Sequence, residues 1–553
     1  MEAHFDKVFE TEAKKKPREE ASDVPVRPSK RGKQAIKRTA AEVVVEEKED
    51  ESEAFVLNAR VVKQMVASLE KKLQKNDLMR SKYENDPSKF MESELALHEE
   101  IIRIKDVATD PSLYHVLIEN QAIPLFMQLL THPNCDVRMD VIALLADMTD
   151  VERLEMEFAQ ALVENIVQLN GLALLCENLG SLLTSSKEDN EEDDVKRTAI
   201  YNTLHIVENL AELDPACCRA MATSTPMLNI LLHECNVKGA EMTENRLYCS
   251  EILSIVLQST DDETCMALVA APGTEDRLDL ILQVLAKYRK KDPSSTEEEE
   301  FVENLFNALC SALRIVAVQD RFRHLEGFEL MLRCLKENKF CTTSALRVLD
   351  HATMNHTRNC ERLIQLGGLK QLFPAFMGKL KRKKKQEPTQ DEHIISLFAT
   401  LCLWLPVDSK DAVLDRFHAK FLEQSFEKTD RLLDLFLKYH DRVHAMPKPP
   451  RPADDADMEE YAEALEGYRL HQIEAGLFPL HQLAFIVAHL IQVFAKTLRP
   501  YVGNKLHTHG LSLTTLRDLI QDNLKQLEAD EADDSVQGHR LRDLVETLDA
   551  TTN

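Results

Sequence analysis

Asn120-Gln121-Ala122-Ile123-Pro124-Leu125-Phe126-Met127-Gln128-Leu129-Leu130 reads as a short apolar helix, which Thr131-His132-Pro133-Asn134 interrupts before Asp136 opens a second helix closing at Met148-Thr149-Asp150. A helix pair of this size cannot bury its apolar face alone, so it requires neighbours that repeat the pattern. Such neighbours recur. A turn residue followed by an apolar helix stands at Asn170-Gly171-Leu172, Glu326-Gly327-Phe328, Gly367-Gly368-Leu369 and Ala475-Gly476-Leu477. The pattern predicts an all-α, armadillo/HEAT-like, right-handed superhelical solenoid with a helical N-terminal cap and a C-terminal helical region.

Polar turns at Asp110, Asp150, Asp214, Asp261, Asp320, Asn355 and Asp408 mark the expected ends of successive units. Three intervals exceed the usual ~40 to 47 residues of such repeats. The charged runs at 185–194, 290–300 and 379–391 account for the excess as extruded loops. Either Ser294-x-x-Glu297 or Ser295-x-x-Glu298 suits a capping box opening the helix after the second run. The expected organisation is a charged, disordered tail over 1–53, a helical cap over 54–107, armadillo repeats over 108–410, a C-terminal helical region over 411–530 and a polar, frayed end over 531–553.

A chain of 553 residues with few glycines and prolines fits a structure that grows in one dimension. Its 68 Lys and Arg against 94 Asp and Glu give a net charge of -26. Met1 to Arg38 holds 11 cations against 7 anions, or +4, so the remainder carries -30. That body repels nucleic-acid phosphate and suits basic partners, and no direct RNA contact is expected from it. Twelve scattered cysteines without a C-x-x-C pair indicate structural thiols, a reducing compartment and no metal site. The N-terminus shows no apolar secretory segment. Gly476 to Leu498 has the length of a membrane span, but Gln482, His489 and Lys496 at intervals of seven make a buried amphipathic helix the better reading.

Catalytic signatures are missing from the sequence: it contains no G-x-x-x-x-G-K-[ST], G-x-G-x-x-G, H-E-x-x-H or G-x-S-x-G. No catalytic residue and no cofactor is therefore nominated, and recognition remains. The final helix of each unit should line a concave face, where Asp140, Asn202, Glu208, Asn209, Glu212, Glu251, Asn304 and Asp350 are the candidate peptide-binding residues. Carboxylates there would hold the cations of an extended Lys/Arg-rich peptide and amides its backbone. In the tail, Lys14, Lys15, Lys16 and Arg18, with Lys30, Arg31, Lys33, Lys37 and Arg38, form basic clusters of the kind read by importin as a nuclear-import signal. The run Lys379 to Lys385 is expected to be a solvated loop, with phosphate binding as its sharper alternative.

Further strings occur in order along the chain: Lys89-Phe90-Met91-Glu92-Ser93-Glu94-Leu95, Val207-Glu208-Asn209, Leu247-Tyr248-Cys249-Ser250-Glu251, Glu303-Asn304-Leu305-Phe306 and Ser344-Ala345-Leu346-Arg347-Val348-Leu349-Asp350-His351-Ala352. With Ala475-Gly476-Leu477-Phe478, they resemble the beta-catenin-like family of nuclear armadillo-repeat proteins. The resemblance implies a spliceosome-associated scaffold of the nineteen complex in the nucleus. It further implies binding of nuclear-localisation-type basic segments, notably in a Myb-like splicing factor. A nuclear transport adaptor is the alternative, disfavoured because the chain has one tryptophan, Trp404. Self-association into a homodimer stays open.

Overall fold

A computed structural model describes residues 57–150, 156–185, 191–237, 242–259, 261–269, 276–379, 387–405, 412–450, 458–529 and 535–549. The described residues hold helices and no strand. The helix Tyr114–Glu119 precedes the stretch that opened the sequence reading, which itself forms the two helices expected of it, Ala122–Leu129 and Cys135–Thr149. The first of the three was not legible because six residues are too few to establish a period. Gln121, with φ of 59°, turns the chain between the first two, and Asn134 caps the third by accepting from the Asp136 amide at 2.9 Å.

Three helices per unit is the armadillo arrangement, and it repeats over 114–149, 156–213, 215–258, 262–312, 316–353 and 357–404. The same left-handed hinge precedes the second helix at Asn170, Glu326 and Gly367. The following residue must then be small, which is why the recurrent sequence signal was a glycine beside a turn residue. At Gly476 the backbone itself needs the left-handed region, with φ of 102°.

The last helices of the units stack in one row, continued at both ends. We number them α1 (Met91–Lys105), α2 (Cys135–Thr149), α3 (Glu191–Leu213), α4 (Glu244–Gln258), α5 (Thr296–Ala312), α6 (Thr342–Thr353), α7 (Glu387–Trp404) and α8 (Leu477–Val493). Each packs on the next. Below this ladder a single apolar core runs from Val62 to Leu548. A fully buried Leu or Phe contributes roughly 1.5 to 3 kcal/mol relative to exposure, so stacking supplies what no isolated unit could.

The N-terminal cap is the helix Ala59–Lys82, begun by Asn58 and packed on α1. At the other end, helix Met458–Ala475 interrupts the last unit before α8. The pair Leu513–Ala529 and Val536–Asp549 then closes the stack against α8.

Several expectations need correction. Asp320 lies inside the helix Val316–His324, and the preceding unit ends instead at Leu313 to Ile315. The acidic ends of the runs at 185–194 and 290–300 are helical, since α3 begins at Glu191 and α5 at Thr296. Carboxylates are stabilising in a first turn, where unpaired amides and the helix dipole meet them. The choice between capping boxes falls to Ser295, whose Oγ accepts from the Glu298 amide at 3.2 Å. The expected frayed end forms a helix because Leu541, Leu544 and Leu548 fall on one side and are buried.

Among the described residues no single helix is long and apolar enough to cross a membrane. The expected stripe of Gln482, His489 and Lys496 is split: Gln482 is half-buried in α8, while Lys496 is exposed on the following helix, Ala495–Thr508. His489 is fully buried, facing His418 at 2.9 Å and accepting from Arg540 at 2.9 Å.

Candidate peptide-binding face

The ladder places polar side chains of one helix opposite those of the next, forty to sixty residues away in sequence, where several of them bond. His98 of α1 meets Asp140 of α2, and Lys105 reaches Asp147 at 3.0 Å. Between α2 and α3, the Asn209 amide donates to Thr149 at 3.4 Å. From α4, the Tyr248 hydroxyl donates to Glu208 of α3 and lies 3.1 Å from the His205 ring nitrogen. Asn304 of α5 donates to Ser250 of α4 at 3.2 Å. Ser344 of α6 donates to Glu303 at 2.8 Å, and Arg347 to Asn307 at 2.7 Å. Finally His393 of α7 faces Asp350 of α6 at 3.1 Å.

These bonds divide the nominated residues. Asp350 and Asn209 are buried, at 1% and 2% exposure, and serve as joints between units rather than as an open surface. The helical period that set Asn209 apart from Val207 could not show this, because the partner that covers it comes from the preceding unit. Asp140, Glu208 and Asn304 are half-buried and bonded to neighbouring ladder helices. Glu251 and Asn202 are half-buried, and Glu212 is exposed and presents most directly to a ligand. Lys14, Lys15, Lys16, Arg18, Lys30, Arg31, Lys33, Lys37 and Arg38 lie outside the described residues, as does most of Lys379 to Lys385.

Sequence reasoning missed Tyr201, Tyr248 and His205. Tyr201 is 44% exposed, and its ring centroid lies 5.1 Å from that of Tyr248 and 6.3 Å from that of His205. Spacing held the clue: Tyr201, His205, Glu208 and Glu212 fall at i, i+4, i+7 and i+11 on one line of α3. An aromatic face beside carboxylates is a favourable environment for a guanidinium or ammonium group.

Titration behaviour follows the packing. The bond to Glu208 holds the His205 imidazolium, raising its pKa, although burial opposes this. Burial raises the Glu212 carboxyl, and the Glu208 charge beside it adds to the effect. Burial likewise raises Asp140 and Asp350, each opposed by its histidine partner. The adjacent Cys217 and Cys218 are buried thiols pushed up to about 12 and about 11, which leaves them protonated core fillers.

Three-helix units stacked into one ladder define an armadillo-repeat protein. The chain belongs to the family described as "Catenin-beta-like, Arm-motif containing nuclear", whose model matches residues 39–521. It is 35% identical over 478 residues to the Beta-catenin-like protein 1 of Bos taurus and of Homo sapiens, covering 84% of this chain and 82% of each relative. The Beta-catenin-like protein 1 homolog of Schizosaccharomyces pombe is 29% identical over 486 residues, covering 88% of this chain and 82% of that one. Among solved structures, a designed armadillo repeat protein is 16% identical with a TM-score of 0.34, covering 53% of this chain and 99% of that one.

Proposed function

We propose that the chain is a non-enzymatic nuclear scaffold of pre-mRNA splicing that captures lysine- and arginine-rich segments of splicing factors on its ladder face. The observation that carries this reading is the line of the exposed Tyr201 ring, His205, Glu208 and Glu212 along α3, in a body of charge -30. Its family is described as nuclear, which supports the compartment. The expected partners are proteins of the nineteen complex, including its Myb-like factor, with importin acting on the basic tail.

Each exposed ion pair contributes only ~0.2 to 1 kcal/mol, so affinity must accumulate along several ladder helices. The test is a pull-down from nuclease-treated nuclear extract with the full chain and with Glu212→Lys. The reading expects splicing factors on the unaltered protein and fewer on the variant. Equal recovery on both, or recovery of no splicing factor, contradicts it.

A further inference from the structure

Between α7 and α8 a pocket opens in the ladder. It is an open pocket with a free volume of about 50 Å³ between the C-terminal end of α6, α7, α8 and the C-terminal pair. Its walls mix aromatic rings, Trp404 and Phe478 among them, with the neutral polar groups of Thr400, Gln482 and Asn523. None of its lining residues is Asp, Glu, Lys or Arg. The indole N–H of Trp404 is enclosed and finds no acceptor among the described residues.

We propose that this pocket is the anchor site of the ladder face, taking one uncharged apolar side chain from an extended partner segment whose basic residues lie along α3 to α6. The proposal rests on the reading of that face as a receptor for basic segments, and adds a second requirement to it. A charged side chain would enter without a counter-charge and lose its water, which is costly. Asp522, next to the lining residue Asn523, is itself outside the lining, and its bond to His481, 3.4 Å away, holds its carboxyl below the usual range. An aliphatic group instead gains contact with the rings. The carboxamides of Gln482 and Asn523 offer donors and acceptors to the peptide backbone, and a backbone carbonyl is the acceptor that Trp404 lacks. A nucleobase would also suit rings and amides, but the lining has no lysine or arginine to hold its phosphate.

Trp404 is the only tryptophan of the chain, so its emission reports the pocket directly. The full-length protein is titrated with two labelled synthetic peptides of equal lysine and arginine content, one with leucines interleaved and one with serines in their place. Peptide anisotropy and Trp404 emission are read together. The leucine peptide should bind roughly tenfold tighter, as expected for one buried Leu, and should alone shift the emission. Phe478→Ala, checked by circular dichroism, should bring the two affinities together. Equal affinities for the unaltered protein, or anisotropy showing binding while Trp404 stays silent, overturn the pocket and leave the basic-segment reading standing. Binding of neither peptide overturns both. A shift produced by oligouridylate and not by the leucine peptide also overturns the proposal.

Discussion

A methyl group on Gly327 would lie 2.3 to 2.5 Å from ring atoms of Phe322, closer than carbon atoms approach in packed proteins. Phe322 is fully buried and lies edge-on to Phe328, so the ring has no free space to yield. Gly327→Ala should therefore destabilise its unit by roughly 1 to 3 kcal/mol, seen as an earlier first transition in urea. An unchanged transition would mean that the hinge is looser than described. Asp350 sits at a different kind of joint. Its buried carboxylate faces His393 at 3.1 Å. Asp350→Ala should leave His393 unmatched and destabilise the joint by about 1 to 3 kcal/mol. It should also leave basic-peptide affinity unchanged, whereas loss of affinity in a folded variant would return Asp350 to the binding surface. Nothing in the run Val348-Leu349-Asp350-His351 discloses this role, since the residue that covers it stands forty-three positions later.

At the scale of the helix, α8 depends on histidines for its seat. His418 and His489 face each other in a buried contact, with Arg540 donating to His489. Burial lowers both, His418 to about 4, with the charge of Arg540 also acting on each and Asp415 opposing it at His418. In the unfolded chain they titrate near 6.5. The unfolded state therefore binds more protons below that value, and stability falls as the pH drops from about 6.5 towards 4. Melting of the C-terminal helices, followed by hydrogen exchange across this range, should show weakening that His418→Asn with His489→Gln reduces. A pH-independent melt would contradict the pairing. How far such elements were legible depended on where their partners lie. The ladder helices and hinges were readable because their apolar period and turn residues are local. The short Tyr114–Glu119 helix and the final Val536–Asp549 helix were missed, because their apolar residues are few and acquire meaning only against neighbours.

Over the whole molecule, local joints and the open surface compete for the same polar residues. Bonds such as Tyr248 to Glu208 and Asn304 to Ser250 fix adjacent units. Groups such as Glu212 and Tyr201 remain outward, so the acidic trough read from composition is narrower than the net charge suggests. Binding of a basic segment should accordingly weaken as salt rises, because exposed pairs are screened over ~8 to 10 Å at 0.1 to 0.15 M ionic strength. The most direct test of the central claim is photo-crosslinking of a lysine- and arginine-rich peptide to the full-length chain, with the attachment sites mapped by mass spectrometry. The account predicts attachment along α3 to α6, around Asn202, Glu212 and Glu251, and its loss on Glu212→Lys. Attachment confined to the first and second helices of the units, with the ladder untouched, would contradict it.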